Sequence, residues 1–379
     1  MDFDLPEEPA APVQAASGGI EAVTAATLES IGGWPAILGR VLSRQDLTAD
    51  EASAALDDVL EGNATVAQIA AFIAGLRTKG ETVGEMTGLV RALRAHGESL
   101  EVGVEVVDTC GTGGDRSGTI NVSTLSAFVV AGAGAVVCKH GGRAASSLAG
   151  SADVLEALGV VIDLGPRGVR RCIDEAGIGF CFAPRFHPTM RFVAPVRREL
   201  GVTTTFNFVG PLVNPAGATR QLVGVSDPMM AEKMLDVLEA FGSVHAMVVF
   251  GHDGLDELST TAPSTLIESV REQDGTCRRR RLEIEPASLG LKRAALSDLA
   301  GGDAAQNAQL GLRLLDGERG PRRDLVCLNA AAGLVVAGLA DELGDGFEIA
   351  SAAVEDGNAR SALDRLVAVS KAAAAADLD

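Results

Sequence analysis

Hydrophobic positions along the chain change their rhythm near residue 100. Before it, apolar residues recur every three to four positions: Val66, Ile69, Ile73 and Leu76, then Val83, Met86, Val90 and Leu93. That period puts each set on one face of an α-helix. Thr48 and Glu51 form a Thr-x-x-Glu capping box that opens a further helix through Leu60. Gly62, Gly80 and Gly97 punctuate these segments. The pattern predicts a small all-helical unit over 24–100, with apolar surface left over for a partner subunit. Residues 1–23, rich in Ala, Pro and Glu without sustained periodicity, read as a flexible extension.

After residue 100, short β-rich runs alternate with helical stretches. The runs predict strands over 104–109, 135–139, 179–183, 221–226, 246–251, 265–270 and 280–284. Helices are predicted over 122–133, 147–158, 167–176, 229–241 and 304–316. Strand–helix alternation implies an α/β domain over 101–379, with a mostly parallel central sheet covered by helices. Residues 187–200 look helical but carry Pro195, so a kink or break is expected there. The Ala-rich tail reads as a fraying helix end.

Composition narrows the function. Lys and Arg number 32 against 51 Asp and Glu, a net charge of −19. Such a field repels polyanions, which argues against general nucleic-acid or anionic-membrane binding. An anionic ligand must then be met locally. The six cysteines form no CxxC pair and suggest reduced thiols. Cys110 has no paired base nearby in the sequence. The acidic N-terminus lacks the basic start and apolar core of a signal peptide. Apolar runs such as 128–138 fall well short of the ~20 residues of a membrane span. The expectation is a soluble, cytoplasmic protein.

The candidate chemistry gathers in 108–147. Gly111, Gly113 and Gly114 follow a predicted strand, and such a turn lets backbone N–H groups approach an anion. It is neither a Walker A motif nor a GxGxxG fingerprint, and alone it reads as a tight turn. Thr119, Asn121, Ser123 and Thr124 then place small polar groups at a helix entrance, where they suit phosphate and ribose as well as ordinary capping. Lys139, His140 and Arg143 end the next strand, on the edge where open α/β sheets bind ligands. Ser146 and Ser147 are placed to start a further helix. Asp256 and Glu257, after the run 246–250, are hard oxygen donors of the kind Mg²⁺ takes alongside substrate phosphate. An acidic surface loop is the plain alternative, and a phosphate site on the same edge favours the metal. One of Arg197 and Arg198 is placed to clamp a carboxylate, the other to face solvent. His187 reads as a packing residue, and Arg278–Arg281 as a solvated strand.

These motifs together resemble one family. GTGGD at 111–115, NVST at 121–124, KHGGRAASS at 139–147, GSADVLEALG at 150–159, FAPRFHPTMR at 182–191, VRRELG at 196–201, FNFVGPLVNP at 206–215 and DGLDE at 253–257 occur in the order found in anthranilate phosphoribosyltransferases. The resemblance extends beyond NAAAGLVVAG at 329–338. It implies transfer of the phosphoribosyl group of 5-phosphoribosyl 1-diphosphate to anthranilate, with release of pyrophosphate, in tryptophan biosynthesis. It also implies Mg²⁺ and a homodimer formed through the helical unit, which the segment near 190–205 would join.

Carried over by motif, Gly111, Gly114, Asp115, Thr119, Asn121, Val122, Ser123, Thr124 and Lys139 would hold the phosphoribosyl diphosphate. His140, Gly141, Gly142, Arg143, Ala144, Ala145, Ser146 and Ser147 would complete that loop. Ser123, Asp256 and Glu257 would take part in metal binding. Gly111, Gly142 and Arg197 would meet anthranilate. No catalytic residue is assigned, since the reaction asks for positioning; His140 is the one candidate acid or base. One departure stands out. The family usually has Lys-His-Gly-Asn-Arg, and this chain has Gly142 where that Asn touches anthranilate. Two alternatives share the fold: a pyrimidine-nucleoside phosphorylase, which has no need of the DGLDE carboxylates, and a non-enzymatic nucleic-acid-binding relative, which the net charge disfavours.

Overall fold

The computed structural model describes residues 27–115, 117–144 and 148–376. The predicted flexible extension therefore lies outside the described residues. The first helices are α1 (Gly33–Leu42), α2 (Ala49–Leu60), α3 (Val66–Lys79) and α4 (Val83–Ala95). Capping boxes open three of them: Thr48 with Glu51, Thr65 with Gln68, and Thr82 with Glu85. Each satisfies two backbone donors that a helix start leaves unpaired. Ile69, Ile73 and Leu76 are buried as their spacing predicts, whereas Val66 at the start of α3 stays 63% exposed.

The α/β part follows as β1 (Val107–Gly111), α5 (Val122–Gly132), β2 (Val137–Gly141), α6 (Ser151–Ala157), α7 (Pro166–Ala176) and β3 (Ile178–Phe182). Short helices α8 (Ala183–Phe186), α9 (Ala194–Leu200) and α10 (Thr205–Val209) lead to β4 (Arg220–Gly224), α11 (Pro228–Ala240) and β5 (His245–Gly251). Then come β6 (Ser264–Arg271), β7 (Cys277–Ile284), α12 (Ala304–Leu315), α13 (Pro321–Ala337), α14 (Leu343–Glu355) and α15 (Asn358–Ala376).

Among the described residues the seven strands form one sheet in the order β3-β2-β1-β4-β5-β6-β7. The first five pair in parallel, while β5–β6 and β6–β7 are antiparallel. The chain winds outward from β1 to β3, then returns to the other side of β1 as β4. This creates a topological switch point between β1 and β4, where ligands of open α/β sheets bind.

Alternation along the central strands splits the core in two. Met247 and Val249 join the cluster beneath α5 and α13, whereas Ala246, Val248 and Phe250 join a second cluster. That second cluster runs without a break through α11 into α1–α4, and it takes in Val193, Val196, Phe206 and Phe208. The helical bundle thus reaches one face of the sheet through α11. Gly88 permits the close approach of α4 to α2, since a Cβ there would lie 2.1 Å from the carbonyl oxygen of Ala49.

Several predicted elements shift. The strand expected from 104 begins at Val107, and that expected from 280 begins at Cys277. The helix expected from 147 begins at Ser151, with Gly150 as its N-cap; Ser146 and Ser147, expected to start it, lie outside the described residues. The break expected at Pro195 lies ahead of it. A 3₁₀ turn covers Pro188–Phe192, and Pro195 sits in the first turn of α9. Proline is tolerated there because the amides of a first turn have no intrahelical acceptor. The predicted fraying end is the tail of α15, a regular helix through Ala376 whose buried face includes Leu363, Leu366 and Ala373. Arg278–Arg281 lie on the exposed edge strand β7, where each pairs with an acid: Glu272, Glu239 with Asp236, Glu268, and Glu232 in turn. No helix among the described residues is long and apolar enough to cross a membrane.

Candidate functional site

Loops after β1, β2 and β5 meet at the carboxyl ends of these strands, around a cleft of about 690 Å³ that Ala183, after β3, also lines. Gly113 and Gly114 take positive φ of 60° and 97°, which lets the loop after β1 turn back over the sheet. Gly111 has no room for a side chain, because a Cβ would lie 2.7 Å from Asp256 Oδ2. That same oxygen accepts a hydrogen bond from the Gly113 amide at 2.8 Å. The glycine loop and the acidic loop are therefore one assembly.

α5 points its N-terminus into the cleft, with Ser123 and Thr124 in its first turn. Asn121, at the N-cap, does not cap the helix with its side chain; its Nδ2 donates to the carbonyl of Ala149 at 3.0 Å. Lys139 is only 3% exposed. Its Nζ passes beneath β1 to donate to the Thr109 carbonyl and, at 3.3 Å, to Ser123 Oγ. Among the described residues it has no salt bridge, so a buried cation borders the anion site of the helix end.

Arg143 was expected beside Lys139 as a second neutralising charge. It lines the rim, half exposed, but donates to Asp153 and Glu156 at 2.8 and 2.5 Å. Those carboxylates raise its pKa and compensate its charge. Ala144 also lines the rim and donates its amide to Asp153 Oδ2. Ala145, Ser146 and Ser147 lie outside the described residues.

His140 is buried, and its ring stands edge-on to that of His187 with centroids 5.2 Å apart. Burial, reinforced by His187 and Lys139, lowers its pKa to about 3. It is therefore a neutral, weak base at physiological pH, which counts against a proton-transfer role. His187 is likewise held down by burial, and its Nε2 lies 3.2 Å from the carbonyl of Val213. A His140→Asn variant checks this. Between pH 6.5 and 5 the unfolded chain takes up a proton that native His140 refuses. Wild type should lose about 1.4 kcal/mol of stability per pH unit relative to the variant as pH falls through that window. Urea unfolding of both proteins at pH 7.5 and 5 measures the difference, and the buried acids cancel in the comparison.

Asp256 is buried and Glu257 partly so. Burial, then the charge of Asp115, pushes the Asp256 carboxyl up to about 7. Burial, Asp256 and Asp115 push Glu257 up as well. Three acids facing one cleft repel one another, and a divalent cation would remove that penalty. No group of three or more His, Cys, Asp or Glu side chains among the described residues is arranged to hold a metal alone. Two carboxylates, Asp256 and Glu257, and the Ser123 hydroxyl line the same cleft, a set of hard oxygens that would suit Mg²⁺ if ligand oxygens completed its shell.

Across the cleft, the structure separates the two arginines of α9. Arg198 is exposed, while Arg197 is partly buried and lines the cleft. Arg197 lies over the Phe206 ring, 5.8 Å from its centroid, and donates to Asn207 Oδ1 at 3.2 Å. Burial lowers its pKa, and among the described residues it forms no salt bridge. Asn207 had not been singled out in the sequence. Its Oδ1 also accepts from the backbone and hydroxyl of Thr204, and its Nδ2 donates to the Thr112 carbonyl at 3.4 Å. It thereby ties the arginine to the glycine loop. Asn214, from the same motif, donates to Asp108 Oδ2 and to the Cys138 carbonyl, both at 2.8 Å, and so joins β1 to β2.

Gly111, Gly114, Asp115, Thr119, Asn121, Val122, Ser123, Thr124, Lys139, His140, Gly141, Gly142, Arg143, Ala144, Arg197, Asp256 and Glu257 all line this one cleft. So do Asn207 and two residues of the α12 region, Gly302 and Asn307. No motif had marked the last two, because they contribute single small polar groups from a distant helix.

Residues 35–97 match the family model of the glycosyl transferase helical bundle domain, and 103–360 that of the glycosyl transferase a/b domain. An anthranilate phosphoribosyltransferase of Thermomicrobium roseum is 51% identical over 344 residues, covering 90% of this chain and 98% of its own. One from Roseiflexus castenholzii is 49% identical over 87% of this chain and 96% of its own. Among solved structures, anthranilate phosphoribosyltransferase from Thermus thermophilus is 40% identical, with a TM-score of 0.81 over 88% of this chain and 99% of its own. The Saccharomyces cerevisiae enzyme, solved in complex with PRPP and Mg, shares the fold at 24% identity, with a TM-score of 0.80 over 89% of this chain and 98% of its own. Matched at about half identity over nearly the whole of these relatives, and by both domain models, the chain belongs to the anthranilate phosphoribosyltransferase family.

Proposed function

We propose that the protein transfers the 5-phosphoribosyl group of 5-phosphoribosyl 1-diphosphate to the amine of anthranilate, a glycosyltransferase step of tryptophan biosynthesis. One observation carries this reading. A buried cation, a helix N-terminus and paired carboxylates share one wall of the cleft, and an arginine without an acid partner occupies the other. The first wall suits a diphosphate, the second a small aromatic carboxylate.

Gly114, Thr119, Asn121, Ser123, Thr124 and Lys139 hold the donor in this reading. Asp256, Glu257 and the Ser123 hydroxyl would hold Mg²⁺, which when bound supplies positive charge against the leaving pyrophosphate. Lys139 adds a fixed charge of the same sign in a site shielded from water. Arg197 grips the acceptor carboxylate through its planar fork, with Asn207 holding the guanidinium. The acceptor amine is already neutral, so placement opposite the ribosyl carbon does more than proton removal. As the C–N bond forms and the bond to pyrophosphate breaks, the amine proton can leave to water or to the departing pyrophosphate, and the weakly basic His140 is not assigned to take it.

Pairing of two copies through the helical bundle belongs to the same proposal, supported by Leu42 and Val66, which remain 66% and 63% exposed on α1 and α3. So does a cytoplasmic location, which the six free cysteines favour. The paired carboxylates have no task in the nucleoside phosphorylase alternative. Because every arginine of 278–281 pairs with an acid, β7 offers no basic patch to nucleic acid.

Loss of anthranilate fluorescence in the presence of phosphoribosyl diphosphate and Mg²⁺ tests the reading. Absence of turnover by well-folded protein would overturn it. Gly142 sets a finer test. Among the described residues, a Cβ there would meet the Ala183 Cβ at 3.8 Å, an ordinary contact, so a side chain can start from this position. The Gly142→Asn variant should bind anthranilate roughly tenfold more tightly, the worth of about one neutral hydrogen bond. Its anthranilate KM, compared with wild type, measures this.

A further inference from the structure

Asn307, on α12, reaches the cleft from far along the chain, and no contact assigned above to donor, metal or acceptor uses it. It is 3% exposed. Its Nδ2 donates to Asn121 Oδ1 at 2.9 Å, and its Oδ1 accepts from the Gly302 amide at 2.7 Å. Asn121 Nδ2 in turn donates to the Ala149 carbonyl at 3.0 Å. Both ends of the Asn121 amide are thus engaged. Flipping it would set oxygen against the Ala149 carbonyl and nitrogen against the Asn307 donor, losing both bonds. The approach is built in the backbone as well. The Ile120 amide donates to Leu299 and the Gly301 amide to Gly118, at 3.1 and 2.8 Å, while Ala300 bridges Thr119. A Cβ on Gly301 would lie 2.5 Å from Asn307 Oδ1, so glycine leaves the space that Asn307 fills.

We propose that Asn307 is a positioning residue of the donor site, acting through Asn121 by fixing its amide at the entrance to α5. The proposal rests on the reading that Asn121 meets the phosphoribosyl diphosphate. Without Asn307, the Asn121 side chain is free to turn toward the cleft in unproductive rotamers, and part of the donor's binding energy goes into ordering it.

The test compares wild type, Asn307→Ala, Asn121→Ala and the double variant. Donor binding is measured by calorimetry with phosphoribosyl diphosphate and Mg²⁺, and KM is measured for each substrate. Asn307→Ala should raise the donor Kd and KM about tenfold and leave the anthranilate KM unchanged. The double variant should bind donor no more weakly than Asn121→Ala alone, because the two residues act in series. Multiplying effects, an unchanged donor Kd, or an equal rise in both KM values would overturn the proposal. If Asn307→Ala folds poorly, Asn307→Leu keeps the volume, removes the donation to Asn121 and adds no charge beside the donor, with the same outcomes expected. Wild type that fails to bind phosphoribosyl diphosphate sinks the donor-site reading and this proposal together. Wild type that binds it, beside an Asn307→Ala protein that binds equally well, sinks this proposal alone.

Discussion

Replacing Asp256 by Asn is expected to lower kcat/KM at least a hundredfold while leaving the protein folded. The amide keeps the size of the carboxyl and an oxygen that can accept from the Gly113 amide, so the glycine loop retains its anchor. What disappears is a negative charge, buried and set near Asp115 and Glu257. In the free protein that charge is a liability, so the melting temperature of Asp256→Asn should match or exceed that of wild type. In the loaded enzyme the same charge would help hold Mg²⁺ against the leaving diphosphate. A hundredfold loss corresponds to about 2.7 kcal/mol of transition-state stabilisation. Steady-state kinetics with a Mg²⁺ titration, beside a thermal melt of the free protein, gives both numbers. Full activity in the variant would remove Asp256 from the metal site.

Arg197→Ala should raise the anthranilate KM at least about thirtyfold and leave donor binding close to wild type. Truncating one partner of a buried, hydrogen-bonded charge pair costs about 2–5 kcal/mol. Among the described residues the guanidinium donates to Asn207 and lies over the Phe206 ring, and burial disfavours its charge. Removing it therefore takes away no ion pair that holds the fold. Arg197→Lys should fall between the two proteins, since lysine keeps the charge but not the two-pronged geometry. Arg198→Ala, on the solvent side of α9, is the control and should behave as wild type. Equal KM values for Arg197→Ala and wild type would place the acceptor carboxylate elsewhere.

Much of this site was legible in the sequence because its parts are local. A glycine-rich turn after a strand, small polar residues opening a helix, and charges ending the next strand are short-range patterns with direct backbone consequences. The strand ends then deliver them to one edge of a parallel sheet. The sequence was less informative where one group's state depends on a distant one. Arg143 looked like a donor ligand until Asp153 and Glu156 were found on it. His140 looked titratable until burial beside His187 and Lys139 made it neutral. Asn207 sat inside the quoted motif 206–215 without a role of its own, and Asn307 carried no signal, since a lone asparagine is ordinary in any helix or turn.

By itself, the sequence determined the elements and their order. The Thr48–Glu51 capping box starts α2, apolar spacing marks the buried positions of α3 and α4, and glycines turn the loop after β1. These follow from backbone sterics and hydrogen bonds within a few residues, which any stretch of chain carries with it. Only the tertiary structure decided which polar groups meet. Gly113 and Asp256 stand 143 positions apart, and Asn121 and Asn307 stand 186 apart. Their contact depends on β1 lying beside β4 and on α12 returning to the entrance of α5. Desolvation and charge act through space between groups the fold has brought together, so no local reading of the chain contains them.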